Sequence, residues 1–235
     1  MDIKQLYRQS YVPYSKQQEV AIVRSAEGRY FPGKRIENAA YPLSISAAQN
    51  ALFCCLSEGD NPQKLFVSRL PTPLLSYWKE EFNISITELS EEQNFRPDFA
   101  DIVLHDLSSP LDLLVPLLDR ACVEESNFPV AALAKTNKGW VSGVNIECSA
   151  WSMGLCAERV AISKALTYTE AEITELHIHA RYGEFSSPCG ACRQVISEHL
   201  PDRKLYLHHA NGSQSVHFSN DLLPFSFQSS SLPNQ

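Results

Sequence analysis

The most informative pattern in this chain is Cys156-x-Glu158, then 29 residues, then Pro188-Cys189-x-x-Cys192. Three thiolates are soft ligands that suit Zn²⁺. Three protein ligands leave one tetrahedral position open, and an open position separates a catalytic zinc from a structural one. Cys156 and Cys189 each stand where a loop enters an apolar helix, so helix N-terminal amides favour the thiolate. Glu158 is placed to reach a bound water rather than the metal. The alternative is a structural four-thiolate site, for which Cys148 would supply the fourth ligand. Cys54, Cys55 and Cys122 read as buried, unreactive thiols. His177 and His179 alternate on Glu-Leu-His-Ile-His-Ala, a strand pattern that turns both to one face. With His208 and His209 they read as polar strand residues, since three cysteines already account for a metal.

The elements that must position these residues occur twice. Val20–Glu37 matches Val130–Glu147 at an offset of 110 residues, and both stretches read as two strands around a polar turn. The same offset sets Ser44–Leu52 against Gly154–Ile162, each continuing as a helix with apolar residues at three- and four-residue spacing. Farther on the offset grows to 117, where Leu70-Pro71-Thr72-Pro-Leu-Leu75 faces Ser187-Pro188-Cys189-Gly-Ala-Cys192. The chain is two copies of one α/β unit. Where the second has Cys156, Glu158, Cys189 and Cys192, the first has Ser46, Ala48, Thr72 and Leu75. One copy carries chemistry, the other structure. The boundary is placed in the Glu-, Asp-, Ser- and Pro-rich stretch 87–110, giving an inactive domain over 1–105 and a catalytic domain over 106–235. Leu111–Ser126 reads as the opening helix of the second copy, interrupted near Pro116. The tail from Ser229 reads as disordered.

Composition narrows the function classes. Apolar residues at 44% and charged residues at 20% describe an ordinary globular protein rather than a disordered or fibrous one. A net charge of −7 argues against docking on a nucleic-acid backbone. The longest apolar stretch, Leu111–Leu118, contains Asp112 and Pro116 and falls short of the ~18 residues a membrane helix needs. The opening Met-Asp-Ile-Lys-Gln has no signal-peptide core. Seven cysteines, two of them adjacent, do not suit a secreted disulfide framework, so a reducing cytoplasm is expected.

The second copy resembles the cytidine deaminases. The likeness rests on Phe128-Pro-Val, Asn145-Ile-Glu147, Cys156-Ala-Glu158-Arg159, Ser187-Pro-Cys189-Gly-Ala-Cys192-Arg-Gln and Leu222-Leu-Pro-Phe225. It covers about Arg120 to Phe227, and a three-ligand zinc site with a glutamate that is not a ligand is the zinc-deaminase signature. The first copy resembles the same family in Tyr14-Ser-Lys and Ile36-Glu-Asn-Ala-Ala-Tyr41. The family's two-domain class usually places the active unit first and uses histidine as first ligand. Here the active unit is second and the ligands are all cysteine, with the nine-residue Glu147–Cys156 spacing of the single-domain, tetrameric class. Trp151 stands where that class usually has tyrosine.

The resemblance implies two tandem three-layer α-β-α units, each with a mixed central sheet, and one Zn²⁺ per chain on Cys156, Cys189 and Cys192. Zinc brings the pKa of water towards ~7, and Glu158 would carry the proton to pyrimidine N3 and then to the leaving amine. Cytidine, and deoxycytidine with it, would become uridine or deoxyuridine plus ammonia, as in pyrimidine salvage. Asn145 and Glu147 would hold the sugar hydroxyls, and the carboxylate would repel a phosphate, favouring a free nucleoside. The Ala157 N–H would hold the base, the Ser187 loop the amine, and Phe128 the ring face. Arg159 would support the ligand sulfurs. Phe225 would reach a neighbouring pocket in a homodimer of four units and two zinc sites. Two rivals stand beside this reading: deamination of a base within a polynucleotide, for which no basic groove is visible, and a zinc-stapled interaction module, which leaves Glu158, Asn145 and Glu147 without a task.

Overall fold

The computed structural model describes residues 3–70, 74–89 and 98–227. Contacts divide the chain into two units: residues 1–37 with 44–101, and residues 102–235 together with Asn38–Leu43. Each is built on its own sheet.

In the first unit a short helix α1 (Ile3–Arg8) precedes the hairpin β1 (Val20–Ser25) and β2 (Tyr30–Lys34). Helix α2 (Ala47–Ser57), strand β3 (Pro62–Val67), helix α3 (Leu75–Glu81) and strand β4 (Ser85–Glu88) follow. The sheet order is β2-β1-β3-β4, with β1 antiparallel to both neighbours and β3 parallel to β4. The Val-Ala-Ile-Val run of β1 is buried on both faces, which is why it reads as continuous rather than alternating.

The second unit repeats this plan and adds a strand. Helix α4 (Pro110–Leu117) leads to the hairpin β5 (Val130–Thr136) and β6 (Gly139–Val144), then to α5 (Ala157–Tyr168) and β7 (Ile173–Ala180). Helix α6 (Gly190–His199), strands β8 (Lys204–His208) and β9 (Gln214–Phe218) and the short α7 (Ser219–Leu222) complete it. The order β6-β5-β7-β8 matches β2-β1-β3-β4, including the single parallel pair, and β9 extends the edge. Leu133, Leu176, Ile178, Leu205 and Leu207 of the sheet are buried together with Val160 and Ile162 of α5.

One glycine in each hairpin decides how the helix meets the sheet. A Cβ on Gly143 would lie 2.6 Å from the Ala157 carbonyl oxygen and 2.9 Å from Ala161 Cα. The equivalent Gly33 stands equally close to α2, 2.9 Å from Ala51 Cα. Backbone-to-backbone packing at these points brings the first turns of α2 and α5 onto the strands.

The opening helix of the second unit is shorter than the expected Leu111–Ser126. It ends at Leu117 and tightens into a 3₁₀ turn over Leu118–Arg120. Pro116 lacks the N–H that would continue the ladder, and its ring crowds the carbonyl four residues back. Cys54 and Cys55 are buried, whereas Cys122, expected buried, is only partly so. Pro71, Thr72 and the tail from Ser229 lie outside the described residues. Among the described residues no helix is long and apolar enough to cross a membrane.

Candidate metal centre

Two helix starts build the site. Cys156 is the N-cap of α5 and Cys189 the N-cap of α6, both with extended backbone, and Cys192 lies in the first turn of α6. The three sulfurs lie within 4.8 Å of one another, and Cys156 Sγ is 3.7 Å from Cys189 Sγ. Two sulfurs at ~2.3 Å from a tetrahedral zinc stand about 3.8 Å apart, so the trio fits the ion. Its electrostatics point the same way. Hydrogen bonds from the Cys156 and Cys192 thiols, with the Cys192 and Ala191 backbone N–H groups, hold Cys189 far below the usual thiol range. Giving that bond to Cys189 pushes Cys156 up to about 12, and Cys192 is raised by the same partners and by burial. Without a cation the cluster thus holds its negative charge on Cys189; ionising all three sulfurs this close requires a cation among them, and the all-sulfur donor set selects a soft one. Cys148 is not part of the cluster.

Glu158 is the second residue of α5 and is 3% exposed. Burial pushes its carboxyl up to about 7, the range in which one group can both take and return a proton at neutral pH. Ala157, also buried, opens the helix, where the first N–H groups have no acceptor within the helix. Arg159 is buried too. Its Nη2 donates to the Leu43 carbonyl at 3.0 Å, while its Nε has no partner among the described residues. The segment Asn38–Leu43 is held again where Ala39 N–H donates to Glu198 at 2.7 Å.

Glu147 and Asn145 stand just past β6. Glu147 Oε2 accepts the Glu125 and Ser126 N–H groups at 3.1 and 3.0 Å, and among the described residues no hydrogen bond occupies its other oxygen. The equivalent Glu37 of the first unit is more fully used: Tyr14 N–H, Ser15 N–H, the Ser15 hydroxyl and Arg35 take up both of its oxygens. Asn145 accepts from Val130 N–H at 2.8 Å and donates to the Phe128 carbonyl at 3.0 Å. It therefore fixes the segment that carries Phe128, whose exposed ring lies 6.3 Å from Tyr182.

Ser187 is exposed, and its hydroxyl accepts from Arg193 Nη2 at 2.7 Å. Arg193 also donates to the Pro188 and Leu222 carbonyls at 2.9 and 3.2 Å. Sequence reasoning passed over Arg193, although its place one residue after Cys192 puts it within reach of the loop before Cys189. Gln194 and Ser197 hold the segment ending at Phe227 along α6, through the Phe227 carbonyl and the Ser226 hydroxyl. Within that segment Phe225 has φ 58°, a left-handed conformation costly for a bulky residue, and its ring is fully exposed.

Residues 107–208 match the family model described as the cytidine and deoxycytidylate deaminase zinc-binding region, and residues 4–68 match a second model of the same description. The chain is 40% identical over 103 residues to a cytidine deaminase of Sporosarcina psychrophila, covering 43% of this chain and 68% of that protein. It is 36% identical over 109 residues to one of Halalkalibacterium halodurans, covering 46% and 83%. Among solved structures, cytidine deaminase from Burkholderia pseudomallei matches 49% of this chain and 94% of its own at 32% identity, with a TM-score of 0.47.

Proposed function

The chain belongs to the cytidine deaminase family, and from that premise we propose that its second unit hydrolyses cytidine to uridine and ammonia while the first unit performs no chemistry. The observation that carries this reading is the cluster of Cys156, Cys189 and Cys192 sulfurs beside buried Glu158. Those sulfurs would hold one zinc ion per chain, and a bound zinc supplies Lewis acidity that makes water nucleophilic near neutral pH. Glu158 takes a proton from the attacking water and places it on ring N3 so that C4 becomes electrophilic; it then takes the proton of the new C4 hydroxyl and delivers it to the amine, which leaves as ammonia while the C4 carbonyl forms. The Ala157 N–H and the Ser187 loop orient the base. Glu147 offers its free oxygen to a sugar hydroxyl, and Asn145 acts beside it through the segment that holds Phe128. A carboxylate there disfavours a 5′-phosphate, so the substrate is the nucleoside, deoxycytidine included, in pyrimidine salvage.

The first unit serves packing. Its Ser46 and Ala48 hold no metal and move no proton, and Glu37 is already saturated by its own unit. Two chains would pair as a homodimer with two zinc sites, which gives exposed Trp151, Tyr41 and Phe225 a partner surface and lets Phe225 cover a neighbouring base. Thiols free of disulfides suit the cytoplasm. The test is metal analysis of the purified protein with the ultraviolet change on adding cytidine. About one zinc per chain and conversion to uridine are expected, whereas zinc without turnover leaves a stapled binding module.

A further inference from the structure

The loop from Arg181 to Cys189 joins β7 to α6, carries Ser187 and ends on a metal ligand. Its residues Tyr182–Phe185 are exposed, Ser186 and Pro188 are buried, and Ser186 ties it to the sheet. Ser186 N–H donates to His209 Nδ1 at 3.1 Å, Ser186 Oγ donates to the His208 carbonyl at 2.7 Å, and Ala180 N–H donates to Ser186 Oγ at 3.3 Å. Phe185 stacks on the His209 ring with centroids 4.6 Å apart.

A ring nitrogen that accepts from a backbone N–H carries no proton, so His209 is the neutral tautomer with its proton on Nε2. That proton meets Ser215 Oγ of β9 at 3.0 Å, and the Ser215 hydroxyl stands 2.9 Å from His217 Nε2. Donors and acceptors alternate along this row, from the Ser186 N–H through His209 and Ser215 to His217. From the other side Arg193 holds Ser187 and Pro188. The loop before Cys189 is held by the Ser186 hydroxyl on the backbones of β7 and β8 and by the His209 and Arg193 side chains, rather than by a strand ladder.

We propose that His209 is a positioning residue of this site: by accepting the Ser186 N–H it fixes where Ser187 and the Cys189 sulfur lie, without touching metal or substrate. The proposal rests on the deaminase reading of the same site. A loop free to move by ~1 Å at reacting groups loses about 100-fold in rate, and Ser186 stands three residues from the ligand.

Three variants of the full-length, zinc-loaded protein test it. His209→Asn keeps an acceptor near the place of Nδ1 and gives up the reach to Ser215. His209→Gln keeps that reach and leaves the buried Ser186 N–H without its acceptor. Ser215→Ala leaves the acceptor untouched. The measurements are kcat and KM for cytidine, bound zinc, and the thiolate-to-metal absorption of the cobalt-substituted protein. His209→Gln is expected to lower kcat by about 10- to 100-fold, with KM and zinc content near wild type and the cobalt band displaced. His209→Asn and Ser215→Ala are expected to stay within about threefold of wild-type kcat with the band in place, well below the ~100-fold that a 1 Å misplacement costs. Wild-type kcat and band in His209→Gln, an equal fall in His209→Asn, or zinc lost in step with kcat would each overturn the assignment. A wild-type protein that binds cobalt but leaves cytidine unchanged would sink the deaminase reading alone, because the band still reports on His209.

Discussion

Replacing Gly143 with alanine puts a methyl where the backbone of α5 already lies. The new carbon would stand 2.6 Å from the Ala157 carbonyl oxygen and 2.9 Å from Ala161 Cα, against the 3.4 Å at which ordinary contact begins. Neither neighbour is a flexible side chain, so the helix itself must retreat, by about 0.5–1 Å if the overlap is to be relieved. Overpacking of this kind costs ~1–3 kcal/mol, a fall in melting temperature of roughly 5–10 °C for a unit of this size. The retreat moves Cys156 and Glu158, which open α5, but not Cys189 and Cys192, which belong to α6. A displacement near 1 Å between the proton carrier and the remaining ligands should lower kcat by about 100-fold. Gly33→Ala makes the same collision with α2, whose first turn bears no catalytic residue. It should cost similar stability and less than tenfold in kcat, short of the misplacement penalty. Calorimetry and steady-state kinetics on both variants decide the matter. Wild-type kcat in Gly143→Ala, or equal kcat losses in the two, would refute the argument that this close approach sets the catalytic geometry.

Glu158→Gln should fold and keep its zinc while losing ~10²–10⁴-fold in turnover; more than a tenth of normal activity, with metal content confirmed, would remove Glu158 from the proton path. Arg159→Gln should lower kcat more than it changes KM, because the buried guanidinium supports the ligand helix and bonds to Leu43 without a place in the nucleoside pocket; unchanged kinetics would count against that role. Acid should destabilise the second unit through two histidines held neutral in the fold. Burial, with His177, His179 and His209 nearby, depresses His208 to about 4, and burial depresses His199 to about 4. The unfolded chain protonates these rings near pH 6.5 and the folded chain does not, so stability is whole above 6.5 and falls as the pH drops towards 4. The loss by pH 5 is about 1–2 kcal/mol per ring, to be read from urea midpoints at pH 7.5 and 5; His208→Asn should remove about half of the difference, leaving the His199 share, and an unchanged difference would mean that the His208 ring is not held neutral.

The order of types along the chain was enough to give the duplication, the hairpins, helices α2 and α5, and the three cysteines whose sulfurs the fold brings together. These are local facts: continuous apolar runs shape β1 and β5, and cysteines at helix starts keep their spacing whatever the rest does. Expectation failed first where a local breaker competed with an apolar pattern, as at Pro116.

What the sequence could not show were pairings between distant residues. Nothing in Glu37 and Glu147 taken alone distinguishes them. The difference arises because Ser15 and Arg35 fold back onto one carboxylate, while on the other, among the described residues, one oxygen takes no hydrogen bond. His209 reads as one more polar residue after a strand, and only the parallel pairing of β7 with β8 brings it beside Ser186. Leu43, an ordinary apolar residue 116 positions before Arg159, matters through its carbonyl, which no side-chain pattern encodes. Residue type sets what a group can donate, accept or ionise. Burial and partners decide which of those capacities remain free to act, and both are properties of the packed chain.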